Sequence, residues 1–130
     1  MRVLLDTPVL LWFLEDSAEL GPKVRRLHAR PDTDLVISDV SLLKLAFLAR
    51  AGRLLFKHGF NSWLWLEVVP YGWQRLHLHL DHMLVLSELP TAPSDPFDLL
   101  LAAQALHEEL PLITSNSVFA SLGIKTIWNP

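Results

Sequence analysis

The stretch "RVLLDTPVLLWFLED", residues 2–16, decides the fold. An aliphatic run ends in an acid, Asp6; Thr7 then offers a hydroxyl suited to an N-cap, and Pro8 stands where helices accept proline, in the first turn. The reading is a buried strand that turns straight into a helix. The pattern returns at "DLVIS", residues 34–38, whose consecutive apolar residues without alternation suit a strand covered on both faces. Asp39 or Ser41 can cap the helix that follows, and Gly52 closes it.

Working outward, "GPKVRRLHAR" (21–30) predicts a short polar helix and "FNSWLWLE" (60–67) another. "EVVPY" (67–71) reads as a third strand and "WQRLHLHLDHMLVLSEL" (73–89) as a longer helix that stops before Pro90. "TAPSDP" (91–96) is a turn-rich loop, and "FDLLLAAQALHEEL" (97–110) a strongly patterned helix ended by Pro111. "PLITS" (111–115) and "KTIWN" (125–129) supply the last two strands. Strands alternating with helices imply a parallel sheet of about five strands covered by helices on both sides, a three-layer α/β/α arrangement.

The 130 residues, 51% hydrophobic and 19% charged, suit one domain over residues 1–130. There is no cysteine, so disulfides and thiolate metal sites are excluded and the cytoplasm is the expected compartment. Mean hydropathy is high at +0.30. Even so, Asp6, Lys44 or proline breaks every long apolar stretch before the ~18 residues a membrane span needs. A net charge of −3 gives no global field that attracts nucleic acid, so such contacts must be local.

In a parallel α/β sheet the functional crevice lies beyond the carboxyl ends of the strands. That rule selects Asp6 after the first strand, Ser38 and Asp39 after the second, and Ser115 and Asn116 after the fourth. Asp95 and Asp98 stand at the entry of the helix that feeds the fourth strand. Carboxylates converging there repel one another unless a cation sits between them.

Four blocks carry a family resemblance: "LLDTPVLLWFLED", "ISDVSLLKLAFLARAGRL", "ELPTAPSDPFDLLLAAQAL" and "LPLITSNSVFASLGIKTIW". In this order and spacing they resemble a PIN domain, and in particular the VapC toxins of bacterial toxin–antitoxin pairs. The resemblance implies a small nuclease fold in which four acids gather around one or two Mg²⁺ or Mn²⁺ ions and hydrolyse RNA to a 5′-phosphate and a 3′-hydroxyl. It also implies a homodimer and a small VapB-like antitoxin whose peptide covers the crevice. The family's first acid corresponds to Asp6 and its third to Asp98, and the "DPFD" of VapC-like sequences adds Asp95. The second acid, a glutamate in such relatives, is Lys44 here; the fourth, an aspartate, is Asn116; and Pro8 replaces a common histidine.

Asp6 with Asp98 meets the minimum for one Mg²⁺, since one or two carboxylates plus water and phosphate suffice, but two ions are not held once two acids are lost and a cation added. Each of these acids also suits an ordinary helix start. Lys44 has three readings: its stem lies along an apolar helix with the ammonium in water, or the ammonium replaces the metal among the acids, or it contacts a phosphate. The second is favoured, because an ammonium beside a carboxylate cluster seeks those acids. Asn116 suits a weakened ligand and a turn residue equally. Asp39 is read chiefly as a cap.

The run "HLHLDH", His77 to His82, spreads its ligands over two faces if helical and reads as non-metal histidines. Trp63, Trp65 and Trp73 suit a core or an oligomer interface, there being no basic stripe beside them. Arg50, Arg53, Lys57 and His58 form the densest basic patch, a solvated loop or a set of RNA phosphate contacts. The two functional expectations are a metal-dependent endoribonuclease with a weakened site, resting on Asp6, Asp98 and Asp95, and a catalytically silent module that binds RNA or a partner protein.

Overall fold

The computed structural model describes residues 1–91 and 94–129. Strand β1 (Arg2–Leu5) passes directly into helix α1 (Thr7–Glu15), with Asp6 itself as the cap in place of Thr7. Helix α2 (Pro22–Ala29) leads to β2 (Asp34–Ser38) and then to α3 (Asp39–Arg50). The cap of α3 is Ser38, whose Oγ accepts the Val40 N–H at 2.9 Å, and neither Asp39 nor Ser41 takes that place. Gly52, at φ 70°, turns the chain away after α3 in the left-handed region that glycine enters without penalty.

Helix α4 (Gly59–Trp63) continues through a π-helical turn (Leu64–Val68) into α5 (Val69–Tyr71). The strand expected at "EVVPY" is therefore helical. The third strand, β3 (Gln74–Leu76), lies instead inside the long helix expected over 73–89, of which only α6 (Leu80–Ser87) is helical. Tertiary pairing decides the difference: Gly72, at φ 78°, ends α5, and Gln74, Arg75 and Leu76 then pair with Val36, Ile37 and Ser38 of β2. The β-branched pair Val68 and Val69 favours a strand only where a strand partner is present. Helix α7 (Pro96–Glu108), strand β4 (Leu112–Ile113), helix α8 (Val118–Ser121) and strand β5 (Thr126–Ile127) complete the order. The loop expected at residues 91–96 lies in part, at Ala92 and Pro93, outside the described residues.

All strand pairs are parallel, in the order β3-β2-β1-β4-β5. The five-stranded parallel sheet flanked by helices is the architecture the sequence predicts. Alternate residues of β1 and β2 face opposite layers. Val3, Leu5, Leu35 and Ile37 pack with Val9, Leu10, Phe13, Val24 and Leu45 from α1, α2 and α3. Leu4 and Val36 pack with Leu101, Ala102, Ala105 and Phe119 from α7 and α8 on the other side. Because β1 is central, its carboxyl end meets that of β4 on one side and that of β2 on the other, which is where such sheets open a crevice. Among the described residues no helix is long and apolar enough to cross a membrane.

Candidate active site

The crevice is built outward from Asp6, whose backbone N–H continues the β1–β4 ladder to Ile113 at 3.0 Å and whose side chain is buried, at 5% exposure. Its Oδ1 accepts the N–H of the next residue, Thr7, at 2.8 Å, at the start of α1 where Pro8 offers no N–H. Its Oδ2 accepts the Thr114 hydroxyl at 2.7 Å, from the residue that follows β4. Burial pushes the Asp6 carboxyl above its ordinary value, and the Thr114 hydroxyl, the Thr7 N–H and the Lys44 charge offset this only in part.

Lys44 projects from α3 toward the start of α7. Its Nζ lies 3.1 Å from Asp95 Oδ2 and 3.9 Å from Asp98 Oδ1. The three side chains are 25%, 38% and 19% exposed, so the cluster is half-buried. Asp95 is also the cap of α7, its Oδ1 accepting the Phe97 N–H at 2.8 Å. Burial opposes its ionisation, but the hydrogen bond from Lys44 and the Phe97 N–H outweigh burial and hold its carboxyl below the ordinary value. Asp98 is raised, first by burial and then by the charges of Asp95 and Asp6, against the pull of Lys44. The ammonium thus serves Asp95 most directly, while Asp6 and Asp98 remain reluctant to ionise.

Asn116 is exposed, its Oδ1 accepting the Val118 N–H at 3.1 Å while its own N–H donates at 3.0 Å to Thr114 Oγ1, the hydroxyl that donates to Asp6. That is turn chemistry. Asp39 is drawn off as well: Arg75 Nη2 lies 2.7 Å from its Oδ1 and His77 Nδ1 2.6 Å from its Oδ2. Burial opposes ionisation of Asp39, and these two partners overcome it and lower its carboxyl.

The basic patch is split. Arg50 and Arg53 line a cleft with Lys44 and Asp95, whereas Lys57 and His58 line a separate hollow with Trp63 and Glu67. The "HLHLDH" histidines disperse too, since His77 precedes α6 and pairs with Asp39 while His82 is fully buried. Trp63 is in the core, Trp73 packs 4.2 Å from Tyr71, and Trp65 is exposed. Sequence reasoning passed over Thr114, whose hydroxyl joins Asp6 to the end of β4; the only signal was a hydroxyl residue directly after the apolar pair Leu112–Ile113.

A divalent ion needs several oxygens free to face it. Here both Asp6 oxygens already accept protein donors, an ammonium lies against Asp95 and Asp98, and the Asn116 amide oxygen is engaged in its turn. Among the described residues no group of three or more His, Asp or Glu side chains is placed to hold a metal ion. As placed, the described acids are engaged by these donors and by Lys44 rather than gathered around an open position.

The family model for the PIN domain matches residues 3–125. A search of curated proteins finds no match. Among solved structures, a chain of VapBC2 from Rickettsia felis, crystallised with a DNA fragment from its promoter, superposes with a TM-score of 0.74 at 18% identity, covering 99% of this chain and 100% of that one. DNA-bound VapBC from Salmonella typhimurium gives 0.72 at 16% identity, covering 98% and 97%. VapBC-5 from Mycobacterium tuberculosis, a toxin–antitoxin member, gives 0.62 at 22% identity, covering 98% of both chains. At these identities the likeness is one of fold.

Proposed function

The chain belongs to the PIN domain family, and from that premise we propose that it is a VapC-like protein of the toxin–antitoxin kind, an endoribonuclease scaffold whose acid cluster is held by Lys44 in place of Mg²⁺ or Mn²⁺. The observation that carries this reading is the position of the Lys44 ammonium, 3.1 Å from Asp95 and 3.9 Å from Asp98. An ammonium supplies charge and hydrogen-bond donors, so it relieves the repulsion among the acids. It supplies no Lewis acidity and does not bring the pKa of a bound water near neutrality, which is what a metal contributes to phosphodiester hydrolysis.

The protein then works by binding, as a cytoplasmic homodimer whose crevice is covered by a VapB-like antitoxin. The complexes formed by its structural relatives support the antitoxin partner. A ribonuclease assay with Mg²⁺ or Mn²⁺ tests the reading. The wild type is expected to give no metal-dependent cleavage, and Lys44→Glu combined with Asn116→Asp to gain it. Cleavage by the wild type that Asp6→Asn abolishes would overturn this reading in favour of a one-metal enzyme resting on Asp6 and Asp98.

A further inference from the structure

Beside Lys44, between the second half of α3 and the first turn of α7, lies a cleft of about 780 Å³. Its floor is apolar: Phe47, itself 51% exposed, sits 5.8 Å from Phe97, and Leu48 and Pro96 extend the surface. Arg50 and Arg53 stand on it, and among the described residues neither has a carboxylate partner. Among the described residues Asp95 is the one acid lining the cleft, and Lys44 already matches it. A chain with net charge −3 therefore carries a locally cationic, apolar cleft.

We infer that this cleft docks an acidic peptide segment with large apolar side chains, a partner of the sign opposite to that which an open cluster of acids would select. The inference rests on the reading that Lys44 neutralises those acids. The apolar side chains of such a segment cover Phe47, Leu48 and Phe97, and its carboxylates meet the two free guanidiniums, which bind carboxylates in a fork. Charge complementarity of this kind sets partner choice. A peptide fits better than single-stranded RNA. The Phe47 and Phe97 rings are tilted by 52° to each other and offer no parallel faces between which a base is held, and the rest of the floor is aliphatic or proline.

The test is fluorescence anisotropy of the full chain with two labelled peptides of equal length, one alternating Glu and the other Lys with Phe and Leu. The Glu peptide is expected to bind about tenfold or more tightly than the Lys peptide. Arg50→Glu with Arg53→Glu should reverse the preference, and Arg50→Lys with Arg53→Lys should keep its direction. Both arginines are exposed, so these variants are expected to fold. Equal binding of the two peptides, or a preference that survives charge reversal, overturns the inference. So does a single-stranded RNA that binds more tightly than the Glu peptide and is lost in the same variant. Tight Mn²⁺ binding by a wild type that still prefers the Glu peptide would remove the reading of Lys44 and leave the cleft assignment standing.

Discussion

Lys44 Nζ lies 3.1 Å from Asp95 Oδ2, joining the middle of α3 to the cap of α7 across the crevice. Replacing the ammonium with an apolar group of similar length leaves Asp6, Asp95 and Asp98 facing one another uncompensated. Lys44→Met is expected to cost about 1–2 kcal/mol at neutral pH, a modest figure because the pair is partly solvated. The loss should shrink in acid. Asp6 and Asp98 are already raised in the fold, and a carboxyl raised on folding contributes stability below its unfolded value that is lost as pH rises through the folded one. Removing Lys44 raises both further, so the gap between variant and wild type widens with pH. Urea denaturation of both proteins at neutral pH and near pH ~4 checks the sign.

Thr114→Val is the second test. It removes the donor to Asp6 Oδ2 and the acceptor of the Asn116 N–H, both in buried or half-buried surroundings. The expected loss is about 1–3 kcal/mol, with Thr114→Ser restoring most of it. In the valine variant the Asp6 carboxyl should titrate at a still higher pH, which a carbon-detected NMR titration reads directly.

The sheet and the position of Asp6 were legible in the sequence because a buried strand, an acid and a proline-bearing first helical turn allow few arrangements. The third strand was not. Val68 and Val69 carry a strand preference that the π-helical turn and α5 override, and Gln74–Leu76 is a strand only because β2 leaves an edge for it. Within the site, spacing along the chain pointed to Lys44 as a replacement for an acid but did not say which carboxylate it would meet. That depended on the first turn of α7, where the capping conformation of Asp95 brings its Oδ2 within hydrogen-bond reach. The bond between Thr114 and Asp6 spans 108 residues of sequence and arises from the adjacency of β1 and β4, which only the strand order reveals.

His82 gives a pH dependence of the opposite kind. It is fully buried where α6 packs on α7, and its Nδ1 accepts the His79 N–H at 3.0 Å. Burial lowers its pKa from the ordinary 6.5; Glu108 opposes this at 4.0 Å, His79 and His107 add to it, and Asp81 counters. The folded state therefore holds His82 neutral, and below the unfolded value the unfolded chain binds the extra proton. Stability should be full above pH 6.5 and fall as pH drops through that value toward the lower folded one. His82→Gln is expected to flatten this slope in thermal denaturation across the same window, while His107→Gln leaves most of it.

Ser38 and Gln104 form a buried polar link between β2 and α7, with the serine hydroxyl donating to the amide oxygen and the amide N–H reaching the His77 carbonyl at 3.4 Å. Gln104→Leu is expected to destabilise by about 1–3 kcal/mol, because the Ser38 hydroxyl loses its acceptor inside the core. Adding Ser38→Ala to that variant should cost only the lost cap of α3, about 0.5–2 kcal/mol, and less than Ser38→Ala costs in the wild type, a non-additivity that a double-mutant cycle in urea measures.

The central claim is that the Lys44 ammonium stands where a divalent metal would bind. Calorimetric titration of Mn²⁺ into the wild type and into the Lys44→Glu, Asn116→Asp double variant tests it most directly. No saturable heat is expected from the wild type, and a saturable binding curve from the double variant. Tight Mn²⁺ binding by the wild type, with Lys44 intact, would contradict it.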